Sequence, residues 1–169
     1  MRLRRLPALL VLATLLLAAP VSAANGAPHA TGGGSFLFAG TIPMQFSFSA
    51  VQLSNGEAAG SFHHFYEADG FTYNLTGTVT CVTFDAANHR AWIGGVLTKV
   101  DSTDPNPGVA PGDDAWFRVL DSPDGDRSTS MGFVGAIESS EAYCAMQIWP
   151  DENARTHPVT EGQITVAAP

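Results

Sequence analysis

The chain has 169 residues, 8 of them Lys or Arg and 16 Asp or Glu, which gives a formal net charge of −8 at pH 7. A surface this acidic repels the phosphate backbone of nucleic acids and anionic lipid surfaces, and no basic cluster counters the repulsion locally. The charge therefore argues against nucleic-acid binding, and the length predicts one domain with a real hydrophobic core.

The first 23 residues have the three parts of a secretory signal peptide. Three arginines between positions 2 and 5 precede the apolar run 6–19, and small residues at 21–23 stand before the expected cleavage site. The apolar run is too short to span a bilayer, and no cysteine follows it directly to carry a lipid. We therefore expect a secreted, extracellular protein that begins near Ala24 without a membrane attachment. Cleavage leaves five basic against sixteen acidic residues, a net charge of −11.

Residues 24–34, ANGAPHATGGG, are small, polar and rich in glycine. Such a segment buries too little apolar surface to offset the entropy of ordering its backbone. The composition predicts a flexible leader over 24–34, followed by a single domain over 35–169.

Two segments show the clearest alternation of apolar and polar residues. In MQFSFSAVQL, residues 44–53, every second side chain from Met44 to Ala50 is apolar and the residues between them are polar. The segment FTYNLTGTVTCVTF, residues 71–84, repeats this pattern with threonine on the polar face. A period of two predicts strands with one buried and one wet face. The apolar face of the second strand comprises Phe71, Tyr73, Leu75, Gly77, Val79 and Cys81.

The polar stretch DAANHR, residues 85–90, separates two strand patterns and predicts a turn. We expect His89 in this turn or at its margin, and Trp92 on the strand face opposite Ala91. The pair Gly94-Gly95 inside the returning strand marks either a bulge or the close approach of another backbone or a large ring. His89 and Trp92, three positions apart on a strand, do not converge, so a hairpin is favoured over a catalytic cluster.

Period-two patterns also predict strands at 59–68, 115–120, 128–137, 141–149 and 162–167. Eight or nine short strands, with no long helical pattern, predict an all-β fold. The architecture is either a single antiparallel meander that closes into a small β-barrel, or a two-sheet β-sandwich.

Cys81 and Cys144 are the two cysteines of the chain. An even number in an exported protein predicts a disulfide bond, and the alternative is two separate buried thiols. In the predicted strands both sulfur atoms point into one core. A bridge between residues 63 positions apart contributes about 4 kcal/mol in the chain-entropy account.

Candidate metal ligands are few. The turn DSPDGD places Asp121, Asp124 and Asp126 around one glycine, and calcium takes oxygen ligands from such loops. The same residue types are also common in solvated turns, so the site holds either calcium or no cofactor. His63 and His64 are adjacent, so on a strand they face opposite sides, one half-buried and one exposed, and cannot chelate one metal together.

The aromatic residues favour an ordinary filled core, and the alternative is a small apolar cavity for a ligand inside a closed barrel. The residues expected to line such a lumen are Phe46, Phe48, Tyr73, Trp92 and Phe117. Motifs of serine hydrolases, zinc proteases and P-loop proteins are missing. We therefore predict a monomeric, non-catalytic binding or surface-associated module, with a small apolar ligand or an extracellular partner. The alternatives are a hydrolase or cyclase-like enzyme that works inside the barrel, and a calcium-stabilised structural protein.

Three motifs occur in order: GTVTCV at 77–82, NHRAWIGGVLT at 88–98 and WFRVLD at 116–121. Together they resemble a set of small exported bacterial proteins whose function is not known. The resemblance covers about residues 46–121, and it implies a β-rich secreted domain without supplying catalytic residues. DSPDGD, at 121–126, departs from the simpler Asp-x-Gly turn that the resemblance implies.

Overall fold

The structure is a computed structural model that describes residues 26–133 and 137–168. The predicted signal peptide lies outside these residues. The described ranges contain nine strands, one α-helix, and 3₁₀ turns at Ala86–Asn88 and Asp151–Asn153. The strands are β1 (His29–Phe38), β2 (Ile42–Gln52), β3 (Ala58–Ala68), β4 (Phe71–Asp85), β5 (Arg90–Ser102), β6 (Asp114–Leu120), β7 (Arg127–Ser128), β8 (Gly132–Phe133) and β9 (His157–Ala167), and the helix is α1 (Ser140–Met146).

Eight of these strands form a closed antiparallel barrel. Strands β1 to β6 pair successively, the short β7 joins β6 to β9, and β9 pairs with β1 to complete the ring. Strand β8 is the ninth and pairs with β6 on the same edge as β7, in line with it. The structure thus confirms the predicted antiparallel barrel and excludes the two-sheet sandwich.

The interior of the barrel follows the predicted alternation. In β2 the side chains of Met44, Phe46, Phe48 and Ala50 are buried, and the residues between them are exposed. In β4 the residues Leu75, Gly77 and Val79 are buried in the same way. Because every second side chain enters the same space, the strands share one continuous hydrophobic core.

Two glycines make room for the ring of Phe62 in this core. A Cβ atom on Gly77 would overlap the Phe62 ring, and one on Gly95 would lie 3.0 Å from Cε1 of the same ring. Gly94 faces the opposite way, where a Cβ would lie 2.8 Å from Cβ of Ser140. The close approach predicted for Gly94-Gly95 is therefore confirmed on both faces of β5.

The prediction of a flexible leader is wrong from His29 onward. His29–Gly34 belongs to β1, which is paired with β2 on one side and with β9 on the other. The small residues fit close neighbours, since a Cβ on Gly32 would lie 2.9 Å from the Phe48 ring. Two hydrogen-bonded ladders supply the stability that the segment's own composition lacks.

The strand predicted at 141–149 is also wrong, because the chain forms α1 on the outer face of the barrel. Ser139 caps this helix by accepting a hydrogen bond from the backbone N–H of Ala142 at 3.2 Å. The hydroxyl of Ser140 donates to the carboxylate of Asp114 in β6. The helix packs against β4, β5 and β6.

The predicted pairing of Cys81 with Cys144 is present, with the sulfur atoms 2.10 Å apart and the Cα atoms 6.2 Å apart. Its predicted location in the core is wrong. The pairing of β4 with β5 shifts between Val79 and Cys81, which leaves Thr80 as a bulge and turns Cys81 outward. The disulfide therefore fastens α1 to the outside of the barrel.

The strand predicted at 128–137 is replaced by the two short strands β7 and β8, and residues 134–136 lie outside the described ranges. After Ser128 the chain continues alongside β6, where the backbone N–H of Thr129 donates to the carbonyl of Arg118 at 3.1 Å, and Met131 is buried in the core. None of the helices in the part of the chain that the structure describes is long and apolar enough to cross a membrane.

Candidate functional site

A cavity of about 210 Å³ opens at one end of the barrel, and we call it the end cavity. This end carries the β1–β2 turn at 39–41 and the β3–β4 turn at 69–70. The walls are mainly apolar and come from three parts of the chain. They are formed by Phe38, Ile42, Met44, Tyr66, Ala68, Ser130, Met131 and Phe133.

Local sequence explains how these walls come together. Asp69 and Gly70 both have positive φ angles, 53° and 82°, as a tight two-residue hairpin turn requires. That turn ends β3 at Ala68 and sets Tyr66 beside Met44 of β2. Met131 comes from the segment between β7 and β8 and belongs both to the core and to the cavity wall. Methionine suits such a position because its unbranched side chain adapts to irregular spaces.

His64 lies one layer deeper than the end cavity. The period of two in β3 directs Phe62, His64 and Tyr66 into the barrel, and His64 is fully buried. Its ring centroid lies 5.3 Å from that of Phe117 and 6.3 Å from that of Phe46. Neither ring nitrogen has a hydrogen-bond partner among the described residues.

Burial determines the protonation of this histidine. Removal from water, and secondarily the nearby His63, lowers the pKa of His64 to about 3. At neutral pH the imidazole is therefore uncharged, with one N–H donor and one acceptor nitrogen. A buried polar group without a partner costs roughly 1–3 kcal/mol of stability, so its presence in the core calls for a reason.

The two adjacent histidines do face opposite sides of the strand, as predicted. His63 lies on the outer face, half-buried, with Nε2 2.7 Å from Oδ1 of Asn74. The expectation of one half-buried and one exposed ring is wrong, because His63 is half-buried and His64 is fully buried. The sequence alone did not distinguish which histidine enters the core.

Three of the five predicted lining residues are inside the barrel. Phe46, Phe48 and Phe117 belong to the core, and the rings of Phe48 and Phe117 pack edge to face at 5.4 Å. Tyr73 stacks on Tyr66 at 4.7 Å near the end cavity. The Tyr73 hydroxyl donates a hydrogen bond to Asp104, which raises the pKa of Tyr73 to about 12. The middle of the lumen is thus filled with rings, and the space lies at its end.

Trp92 is wrongly predicted as a lining residue, although its placement opposite Ala91 is correct. Its ring lies outside the barrel in a second cluster with Trp116 and Tyr143. The indole N–H of Trp92 donates to the carbonyl of Ile148 at 2.9 Å. Burial in this cluster raises the pKa of Tyr143 to about 12. The cluster holds the segment around α1 against β5 and β6.

Two arginines complete this outer cluster. The guanidinium carbons of Arg90 and Arg118 lie 4.6 Å and 5.3 Å from the centre of the Trp149 ring. Arg118 also donates to the carbonyl of Ala154 at 3.0 Å. These contacts fasten residues 149–154 to the barrel wall, and the indole faces compensate part of the guanidinium charge.

The aspartates proposed for calcium have other partners. Asp126 accepts hydrogen bonds from the backbone N–H groups of Ser122 and Ile164, at 3.1 Å and 2.6 Å. Asp121 accepts from that of Val166 at 3.0 Å, while Asp124 is exposed. Within residues 26–133 and 137–168, no three His, Cys, Asp or Glu side chains are grouped to hold a metal ion. Calcium binding stays a prediction.

The fold and the cavity define a class, a closed eight-stranded antiparallel β-barrel with an apolar cavity at one end. The sequence matches no protein-family model and no curated protein, and no solved structure matches the chain. The resemblance of the GTVTCV, NHRAWIGGVLT and WFRVLD motifs to small exported bacterial proteins stays a prediction.

Proposed function

We propose that this protein is a secreted binding protein that takes a small apolar molecule into the end cavity. The observation that carries the proposal is the apolar cavity of about 210 Å³ at the end of a closed barrel. An apolar cavity of about 150 Å³ holds a benzene ring, and pockets for drug-sized ligands begin at about 300 Å³. The size favours a single ring with a short substituent.

The walls support this ligand class. Tyr66, Phe38 and Phe133 offer aromatic surfaces, and Met44 and Met131 can change conformation to fit a guest. Phe38 is partly exposed at the rim, next to exposed Leu37. An apolar molecule thus meets apolar surface before it leaves water, which lowers the cost of entry.

The methionines provide a direct test with toluene as the probe. Met44 and Met131 line the cavity, whereas Met146 is exposed on the outer helix. In the full chain with isotope-labelled methionine methyl groups, toluene should shift the resonances of Met44 and Met131 by the ring current. The resonance of Met146 should not change, which makes it an internal control.

A matched pair of variants locates the binding. Ala68→Phe places a ring in the cavity and should abolish both shifts, because the space is filled. Ala87→Phe adds the same ring in the exposed turn at the opposite end of the barrel and should leave them unchanged. Toluene that shifts no methyl group, or that binds the Ala68→Phe variant as well as the parent, would contradict the proposal.

A further inference from the structure

We propose that the ligand carries a neutral hydroxyl group and that His64 binds this group. The ring of such a phenol-like or small alcohol ligand lies in the end cavity, and its hydroxyl reaches inward to the imidazole. This inference rests on the proposed function and names the chemical class that the cavity selects.

The layers of the barrel place the two parts of the site next to each other. Met44 pairs with Tyr66 at the base of the cavity, and Phe46 pairs with His64 in the next inward layer. Two residues along a strand correspond to about 7 Å, a distance that a substituted ring spans. The imidazole therefore lies within reach of a molecule that enters from the end.

Two adaptable side chains connect the end cavity with the core. Met44 is part of the cavity wall and of the core, and Met131 belongs to both as well. A thioether side chain can exchange rotamers without moving the backbone, so the layer between cavity and imidazole can open for a ligand. The hydrogen-bonded strands of the barrel need not separate.

The unpaired imidazole of His64 supports a ligand hydroxyl independently of the cavity. His64 is surrounded by phenylalanine rings, and both of its nitrogens lack a partner among the described residues. An apolar side chain of similar size would avoid the cost of burying this polar group. A ligand hydroxyl would satisfy one of the two nitrogens and remove part of that cost.

The environment of His64 selects against charged ligands. No described Asp, Glu or Lys is buried, and the one buried arginine, Arg118, lies in the outer cluster. A carboxylate or an ammonium group would therefore lose its hydration beside His64 without gaining a charged partner. A hydroxyl is neutral and can either donate to or accept from the imidazole.

Phenol and toluene, which are nearly equal in size, test the inference. Dissociation constants for both are measured from the methionine methyl shifts in the parent and in His64→Leu. We expect the substitution to weaken phenol binding about tenfold, as the loss of one buried hydrogen bond implies, and to change toluene binding by less than about twofold. His64→Gln keeps a hydrogen-bonding group and should restore part of the preference for phenol.

A second measurement needs no substitution. Phenol should shift the imidazole nitrogen resonances of His64 in the parent protein, and toluene should leave them nearly unchanged. If phenol binds but does not affect these nitrogens, or if His64→Leu binds phenol as well as the parent does, the role of His64 is overturned while the proposed function stands. If neither probe binds the parent, the proposed function itself fails.

Discussion

His64 is the residue at which this barrel departs most clearly from a core packed for stability alone. Its neighbours Phe62 and Phe117 make edge-to-face contacts that are typical of a well-packed core, and Gly77 leaves space for the Phe62 ring. The imidazole adds polar atoms without partners to that packing. A core selected for stability alone would place an apolar side chain there.

The pH dependence of folding should show this cost. The pKa of His64 is about 3 in the folded protein, against 6.5 for an exposed histidine. As the pH falls from about 6.5 towards 3, the imidazole of His64 binds a proton in the unfolded chain but not in the folded one. The free energy of unfolding therefore falls by about 1.4 kcal/mol per pH unit. His64→Leu lacks this contribution. Urea denaturation at several pH values should give the variant a shallower decline than the parent.

His157 does not affect the comparison of the parent with His64→Leu. Burial, and secondarily Arg127, lowers the pKa of His157, so it contributes a loss of stability of the same sign at low pH. Because His157 is present in both proteins, its contribution cancels in the difference. Identical declines in parent and variant would mean that His64 is solvated in the folded state.

At the scale of single elements, the strands were predictable where apolar and polar residues alternate in the sequence. The alternation of β2 and the early part of β4 appears directly in the sequence, and the turn at 85–90 follows from its polar residues. Helix α1 was not predictable, because seven residues give too few turns for a helical period to exceed an apparent alternation. The bulge at Thr80, which turns Cys81 outward, leaves no signature in the sequence.

The disulfide should stabilise the junction between α1 and the barrel. Replacing both cysteines, Cys81→Ser with Cys144→Ser, removes a link between residues 63 positions apart and should cost about 4 kcal/mol of unfolding free energy. Urea denaturation measures that loss. Tryptophan emission should also shift to the red, because all three tryptophans, Trp92, Trp116 and Trp149, lie in the outer cluster beside the helix.

The far-ultraviolet circular dichroism of the barrel should change little in this double variant, since the strand ladders do not include the helix. Alkylation of the untreated parent without a reductant provides the control and should label no thiol. A double variant as stable as the parent would show that the bond does not constrain the chain.

At the scale of the whole molecule, the barrel is closed by a short seam. Strand β7 has two residues, and it links β6 to β9 by two residue pairs on each side. Beyond β7, the carboxylates of Asp121 and Asp126 accept hydrogen bonds from backbone N–H groups of β9. Closure thus depends on side chains at positions that look like an ordinary acidic turn in the sequence.

Removing one of these carboxylates should weaken the seam. Asp126→Ala leaves the backbone N–H of Ile164 without its acceptor, and hydrogen bonds to charged groups contribute about 1.5–3 kcal/mol. Asp124→Ala, an exposed position in the same loop, is the matched control and should change stability by less than about 0.5 kcal/mol. Thermal denaturation of both variants measures the difference.

The same experiment with a chelator addresses the calcium prediction. If calcium stabilises the loop, the parent should melt at a lower temperature after chelation, and Asp124→Ala should lose that response. If the three aspartates act only as acceptors and as solvated turn residues, the chelator should have no effect on either protein.

The closed topology and the end cavity arise from contacts between distant parts of the chain, which explains what the sequence could and could not predict. Strands β2 to β6 follow from local patterns, so a barrel was among the predictions. The inclusion of His29–Gly34 in β1 depends on neighbours more than a hundred residues away in β9. The cavity likewise requires Met44 and Met131 to meet, and no local pattern relates these two residues.

The central claim is that the end of the barrel holds a small apolar ligand, and anomalous diffraction from crystals soaked in bromobenzene tests it most directly. We expect a bromine peak inside the end cavity, enclosed by Met44, Tyr66 and Met131. A cavity without a peak, with bromine only on the outer surface of the barrel, would contradict it.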